Sequence, residues 1–159
     1  MGTRATIHFG YGSFYGEDHR DEMGLPVWKS IGIVYHHNDG SPDFLGKDLI
    51  NFFEYLEKNV KDNRFHDPSY LAAKWVAWTP WLHPTGSAIP MDFLGVGIVT
   101  EDPADIEWSY RVFSDLPEES GHPMVIAVNI NTQKSILVND YVKDAIEYTC
   151  AGSIHSSVR

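Results

Sequence analysis

The chain contains one cysteine, Cys150, among 159 residues. A lone cysteine cannot close an internal disulfide and cannot build a cysteine-based zinc cluster. No stretch reaches the roughly 20 consecutive apolar residues that a membrane span needs, and the N-terminus lacks the apolar segment of a secretory signal. We therefore expect a cytoplasmic protein in a reducing compartment, with no membrane partner.

Basic residues are also scarce, because 12 Lys and Arg stand against 22 Asp and Glu and give a formal net charge of −10. A negative surface repels phosphate backbones, so direct nucleic-acid binding is not expected. The same charge suits a protein that docks on a basic surface, including the nucleic-acid groove of another protein.

Recognisable catalytic and cofactor motifs are missing as well. The chain has no GxSxG sequence, no Walker sequence and no dinucleotide-binding glycine pattern. No motif surrounds Cys150 that would mark its thiol as a nucleophile. We expect no cofactor, and the sequence leaves open whether the protein is an enzyme.

The residues that are present suffice for an ordinary core, with 43% hydrophobic and 13% aromatic side chains. A chain of this length lies within the usual size of one domain. The last residues, 151–159, are small and polar, which is typical of a loose terminus. We predict a single domain over residues 1–150 and a flexible tail over residues 151–159.

Two strands are predicted before the first helix. Residues 3–9, TRATIHF, place apolar side chains at odd positions and polar ones at even positions, the pattern of a half-buried strand. In residues 29–37, KSIGIVYHH, the same alternation puts His36 on one face and His37 on the other. The glycine- and acid-rich residues between them, 10–27, are predicted to form a long loop.

Two helices follow. Apolar residues recur at helical spacing over residues 42–60, with Ser41 as the predicted N-cap and Pro42 at the first helical position. A second helix begins after Asp67, its predicted cap. Prolines 80 and 84 are expected to end it, since proline lacks the N–H that a helix requires.

The rest of the chain is typical of strands. Four segments are predicted, and a hairpin loop at residues 131–134 joins the last two. Strands, then helices, then strands indicate an α+β domain: a mainly antiparallel β-sheet with two α-helices packed on one face. The four segments cover residues 93–100, 105–113, 124–130 and 135–139.

His37 and Asp39 are the first candidates for chemistry, because imidazole and carboxylate bind divalent metals. Neighbouring residues on a strand point to opposite faces, so His36 and His37 cannot hold one ion together. Alternation groups His8 with His36 instead. A metal site at His37 and Asp39 is thus a hypothesis with few ligands, and a structural role for both is the alternative that we favour.

The same pair is a candidate for acid–base catalysis, with Asp105 or Glu107 contributing from across the sheet. Such a site needs a pocket and shifted pKa values, which a sequence does not display. In the plainer interpretation Asp39 caps a turn and His37 fills the edge of the core.

Trp81 is the candidate aromatic contact of the chain. It follows the predicted second helix, where an aromatic side chain can anchor a partner protein. Trp75 and Trp78 lie on the apolar stripe of that helix and are expected to pack in the core.

Three segments resemble a group of small uncharacterised phage and bacterial proteins. TRATIHF is similar to their S/T-T-R-A-x-I start, YHHNDGSP to their Y-R-H-x-D-G-Y-P turn, and DIEWSYRVF to their D-I-E-Y-x-Y segment. The resemblance implies a fold and a phage or bacterial accessory context, but no reaction. The positions that match are Arg4, His37, Asp39, Gly40, Pro42, Asp105 and Glu107.

Two positions depart from the pattern of that group. His36 stands where those proteins usually have Arg, and Ser41 where they have Tyr. If that arginine binds an anionic ligand in the group, the role is in doubt for this chain.

Three functional hypotheses follow. The first is a non-enzymatic accessory protein that binds a partner protein or a small ligand. The second is a small hydrolase or metal-dependent enzyme that uses His37 and Asp39, with Arg4 holding an anionic substrate. The third is an acidic mimic of nucleic acid that blocks a basic groove, which requires a continuous carboxylate surface. The identity of the partner or substrate and the oligomeric state lie beyond the sequence.

Overall fold

A computed structural model describes residues 3–12, 28–82 and 95–144, the side chains of residues 28 and 80–82 excepted. Six strands, two long helices, a π-helical turn and a last helical segment make up these residues. In chain order they are β1 (Ala5–Gly12), β2 (Trp28–His36), the π-helical turn (Pro42–Gly46), α1 (Lys47–Asn59), α2 (Pro68–Leu82), β3 (Val96–Val99), β4 (Trp108–Pro117), β5 (Pro123–Asn129), β6 (Ser135–Leu137) and the helical segment 138–144.

The strands form one sheet in the order β3-β2-β1-β4-β5-β6. The α+β class is confirmed, but the sheet is mixed because β1 and β4 run parallel while the other neighbours are antiparallel. The prediction did not include this parallel pair, because β1 and β4 are far apart in sequence and alternation does not identify the partner of a strand.

One face of the sheet carries the main core beneath the helices. Odd positions of β1, such as Ile7 and Phe9, lie fully buried there beside Val34, Tyr110 and Val112 of the neighbouring strands. The apolar stripes of α1 and α2 pack onto this layer, and α2 contacts β1, β2 and β4. Even positions of β1 therefore face the opposite side, which we call the second face of the sheet.

The predicted helix over residues 42–60 is present, but its beginning is irregular. Residues Pro42–Gly46 form a π-helical turn before α1, and the backbone N–H groups of Phe44 and Leu45 both donate to the Ser41 carbonyl. Ser41 occupies the predicted N-cap position with an extended backbone, but its side chain makes no capping hydrogen bond. Pro42 does occupy the first position of the helix, as predicted.

The second helix begins as predicted and ends later. The Asp67 carboxylate accepts hydrogen bonds from the Ser69 hydroxyl and from the Tyr70 N–H, as expected of a helix cap. The helix continues past Pro80 to Leu82, so the expected stop at this proline is wrong. A proline in a helix removes one backbone hydrogen bond, and the Thr79 hydroxyl donates to the Trp75 carbonyl in the same turn.

A further helical segment was not predicted. Residues 135–139 were assigned to a strand, but β6 ends at Leu137 and residues 138–144 are helical. Val138 and Val142 are buried against the main core at helical spacing, so the apolar side chains attributed to a strand belong partly to a helix. The prediction of two helices is therefore too low for the described residues.

Other predictions fall at the margins of these ranges. The loop predicted over residues 10–27 is shorter at its start, since β1 extends to Gly12, and residues 13–27 lie outside the described residues. The domain boundary at residue 150 and the tail 151–159 also lie outside them. Among the described residues, no helix combines the length and apolarity required to cross a bilayer.

A β-bulge lies between β1 and β2. Phe9 pairs with Gly32 and Gly10 with Ser30, so Ile31 has no partner in the register. Strict alternation from Gly32 would point the Ser30 side chain toward the helices. The extra residue reverses this direction, so Ser30 lies on the second face of the sheet. Gly10 permits this approach, because a Cβ at this position would lie 1.9 Å from the Lys29 carbonyl oxygen.

We expect Gly10→Ala to destabilise the protein by at least about 1–3 kcal/mol, the usual cost of overpacking, because the obstacle is backbone that cannot swing away. Chemical denaturation followed by circular dichroism measures the free energy of unfolding. Gly97→Ala in β3 is the matched control, since nothing lies within 4 Å of its added Cβ. Equal stability of the two variants would contradict the assigned bulge.

Candidate functional site

Arg4, Asp105 and Glu107 meet where β1 and β4 begin. The Arg4 guanidinium forms an ion pair with the Asp105 carboxylate, and the Arg4 carbonyl accepts a hydrogen bond from the Glu107 N–H at 2.9 Å. Both ion-pair side chains are substantially exposed, at 40% for Arg4 and 55% for Asp105. Such an exposed pair contributes little stability, so it orients the arginine more than it holds the fold together.

His37 and Asp39 lie nearby on the turn after β2. The turn is fixed to the first strand, since the Gly40 N–H donates to the Thr3 carbonyl at 2.9 Å. His37 is exposed and its Nδ1 lies 3.0 Å from the Tyr35 hydroxyl, while Asp39 adopts a left-handed backbone with φ 55°. Among the described residues, no hydrogen bond or ion pair joins either side chain to Arg4.

A buried tyrosine holds the same turn from below. The Tyr110 hydroxyl donates to the Gly40 carbonyl at 2.7 Å. Burial and the nearby Asp43 carboxylate raise the pKa of Tyr110 well above its usual value, so the hydroxyl keeps its proton. The turn that attracts attention in the sequence therefore has a structural anchor.

Two further predictions concern metal and aromatic contacts. In the described part of the chain, no group of three or more His, Cys, Asp or Glu side chains is arranged to hold a metal ion. The Trp81 side chain lies outside the described residues. Both functional assignments stay predictions.

The predicted grouping of His8 with His36 is wrong. Ala5 pairs with His36 across the two strands, and paired residues share a face, so odd positions of β1 accompany even positions of β2. His36 is buried on the helix side, where its Nε2 accepts a hydrogen bond from the Trp75 indole at 2.8 Å. His8 lies on the second face.

The second face of the sheet carries a polar group in which an exposed carboxylate, Asp102, contacts buried side chains. Its carboxylate accepts hydrogen bonds from the Thr6 hydroxyl and from His8 Nε2, both at 2.6 Å, and also from Ser109. Thr6, His8 and Ser109 are at most 6% exposed. We name Thr6, His8, Ser30, Asp102 and Ser109 the Asp102 cluster.

The electrostatics of this cluster favour an ionised Asp102. Partial burial alone would raise the pKa of its carboxyl, but the hydrogen bonds from His8 and Thr6 outweigh burial and hold the pKa below its usual value. On its other side the imidazole of His8 meets Ser30, with Nδ1 3.2 Å from the hydroxyl oxygen. A hydroxyl, an imidazole and a carboxylate are thus joined in series.

Sequence reasoning named His8 and missed its partners. Alternation along residues 3–9 did place Thr6 and His8 on one face of the strand. Two polar side chains on one face were a signal that a polar partner could lie on that side of the sheet. The approach of Asp102 from a loop and the rotation of Ser30 by a bulge depend on tertiary contacts that alternation does not encode.

A second candidate site is a groove of about 540 Å³ on another part of the surface. Residues of α1, the turn between β4 and β5 and the helical segment 138–144 line it, and carboxylates predominate among its charged groups. We name it the acidic groove; its lining is Ile50, Glu54, Glu118, Glu119, Ser120, His122, Asn139, Asp140, Val142 and Lys143.

His122 is the most buried polar group of the acidic groove. Its ring packs against Phe53 and Phe65, and the residue is 7% exposed. The Glu57 carboxylate lies 3.2 Å from Nε2, but its direction is wrong for a hydrogen bond, so Nε2 is buried without one. An unsatisfied buried polar atom costs about 1–3 kcal/mol, and such atoms recur where a ligand is bound.

We expect Asp102→Asn to lower the free energy of unfolding by about 1–2 kcal/mol at pH 7, because it removes the charge from the carboxylate that Thr6 and His8 bond. The loss is modest, since hydrogen bonds to a partly exposed charge are weaker than buried ones. A carboxyl whose pKa is lower in the folded than in the unfolded protein stabilises the fold at pH values above its unfolded pKa. This stabilisation is lost as the pH falls through the folded pKa. The difference from wild type should therefore shrink below about pH 4.

Denaturant titrations between pH 3 and 7 measure this difference. Glu101→Gln is the matched control, because it removes an exposed neighbouring carboxylate. Asp115→Asn is less suitable, since the Asp115 carboxylate accepts a hydrogen bond from the Gly12 N–H. A constant difference between Asp102→Asn and wild type at every pH would contradict an ionised Asp102.

Comparison with known proteins finds no match: no family model, no curated protein and no solved structure is similar to this chain. The resemblance of its three segments to phage and bacterial proteins therefore stays a prediction, and the function must be argued from the geometry of the sites.

Proposed function

We propose that this chain is an accessory protein of phage or bacterial type that binds a partner protein, and that the acidic groove receives a lysine or arginine side chain of that partner. The supporting observation is the combination of several carboxylates with a buried imidazole whose Nε2 makes no hydrogen bond. Three properties of the groove favour a cationic side chain.

The first property is charge. Glu54, Glu118, Glu119 and Asp140 face one cation, Lys143, so four negative groups oppose one positive group in the lining. The whole chain carries a formal charge of −10, which attracts a basic partner over distance and raises its rate of encounter. A carboxylate group also supplies the acceptors that an ammonium or guanidinium requires.

The second property is size. A groove of about 540 Å³ lies within the ~300–1,000 Å³ of ligand sites, which is ample for one long side chain.

The third property is the apolar wall of the groove. Ile50 and Val142 line the groove beside the carboxylates, and long basic side chains bury their methylene stems on such surfaces while the charged end stays among polar groups.

The other two hypotheses make different demands. An acidic mimic of nucleic acid would use carboxylates over a wide surface, including those outside the groove. A hydrolase or metal-dependent enzyme would need His37, Asp39 and Arg4 to act on one substrate, whereas Arg4 pairs with Asp105 and His37 with Tyr35. The mimic hypothesis gives the groove carboxylates no special role, and the enzyme hypothesis gives them none.

Binding of a fluorescein-labelled hexalysine peptide tests the proposal by fluorescence anisotropy. We expect the triple variant Glu54→Gln, Glu118→Gln, Glu119→Gln to raise the dissociation constant of the peptide about tenfold, which corresponds to roughly 1.4 kcal/mol. Each partly exposed pair of a lysine with a carboxylate contributes about 0.2–1 kcal/mol. Lys143→Gln should tighten binding, because it removes the competing cation.

The matched control removes three exposed carboxylates elsewhere through Asp39→Asn, Glu101→Gln and Glu107→Gln. It changes the net charge equally and should leave the affinity within about twofold, a difference of about 0.4 kcal/mol. Equal weakening by both triple variants would contradict the groove and favour a distributed acidic surface. Absence of binding at low ionic strength would also refute the proposal.

A further inference from the structure

The Asp102 cluster contains more than is needed to hold its loop. Hydrogen bonds from Thr6, His8 and Ser109 tether Asp102 to the second face of the sheet. Ser30 takes no part in this tether, yet its hydroxyl oxygen lies 3.2 Å from His8 Nδ1. The order hydroxyl, imidazole, carboxylate is the arrangement that activates a serine as a nucleophile.

We propose that Ser30, His8 and Asp102 form an acyl-transfer site that hydrolyses small carboxylic esters. Ser30 is the nucleophile, His8 the general base and acid, and Asp102 the residue that positions the imidazole. This inference is independent of the acidic groove, because none of the three residues lines it.

The ionised carboxylate determines the tautomer of His8. An ionised Asp102 can only accept hydrogen bonds, so the Nε2 atom that lies 2.6 Å from it carries the proton. In the neutral imidazole Nδ1 then has a lone pair and accepts the proton of the Ser30 hydroxyl. The two ring nitrogens exchange roles relative to serine proteases, but the path of the proton is equivalent.

Burial and access differ among the three side chains. His8 is 6% exposed, which shields the imidazole from water, whereas Ser30 is half-buried and reachable from solvent. Asp102, on a loop, is 36% exposed at its side chain. The burial of the imidazole strengthens its electrostatic coupling to the carboxylate, and the exposure of the carboxylate weakens it.

The bulge supplies an independent argument. Ser30 reaches His8 only because Ile31 is skipped in the pairing of β1 with β2, and the close approach of the strands requires Gly10. Bulges are frequent next to active sites, where they re-aim a side chain. A pairing without the bulge would have turned the hydroxyl toward the helices.

The proposed reaction balances with an ester and water. The Ser30 oxygen bonds to the carbonyl carbon while its proton moves to His8 Nδ1, and the carbon–oxygen bond to the alcohol then breaks as Nδ1 returns the proton to the leaving alcohol. Water attacks the acyl-serine, gives its proton to Nδ1 and releases the acid. Ser30 recovers the proton, and no redox partner is needed.

A fluorophosphonate probe and p-nitrophenyl acetate test this inference. We expect intact-mass spectrometry to show one adduct, peptide mapping to place it on Ser30, and the ester to turn over. Ser30→Ala should abolish both signals. Asp102→Asn should slow labelling by at least about 100-fold, the typical contribution of an oriented general base, while circular dichroism verifies that the variant is folded.

Ser135→Ala, which removes an exposed serine on β6, is the matched control and should leave both rates unchanged. Failure of the wild-type protein to react with the probe or to turn over the ester would overturn the inference. An adduct on another residue, or labelling of Asp102→Asn at the wild-type rate, would overturn it as well.

Discussion

The register of β1 is the constraint on which the rest of the structure depends. This strand lies between β2 and β4, and Ala5 is paired on one side with His36 and on the other with Trp108. A slip of one residue would exchange buried Ile7 and Phe9 for polar side chains and remove the layer that the helices cover. Because both neighbours are aligned to β1, its alternation determines which residues of three strands face the helices.

A consequence of this register is that Thr6 and His8 are buried on the face opposite α1 and α2. Buried polar groups need partners, and Asp102 satisfies both. The loop before β4 is therefore drawn over the second face by hydrogen bonds rather than by apolar packing alone. The same requirement explains why the carboxylate stays ionised: its donors are preorganised on a rigid central strand.

Local patterns in the sequence predicted the local features. Alternation located β1 and β2, the strand-like segment 105–113 corresponds to β4, and Asp67 was recognised as a helix cap. Long-range features escaped, since the parallel pairing of β1 with β4 depends on the path of the chain through α1 and α2. Pro80 was misjudged because a proline costs a helix one hydrogen bond, which the packing of α2 outweighs. Among the candidate site residues, Arg4 meets Asp105, but Asp102 was missed because loops carry no periodicity.

Three histidines are buried among the described residues, and they differ in how their ring nitrogens are satisfied. The Nε2 of His36 is satisfied within the core by Trp75, which accounts for its burial without any ligand. His8 is bonded through both ring nitrogens, and its partners are a carboxylate and a hydroxyl whose order can carry a proton. His122 is as buried as the other two, yet its Nε2 makes no hydrogen bond. The Glu57 carboxylate at 3.2 Å compensates this nitrogen only in part, because the contact is not a hydrogen bond. Since the other two imidazoles are satisfied by groups of the fold itself, the physical case for a ligand at His122 rests on this one buried nitrogen.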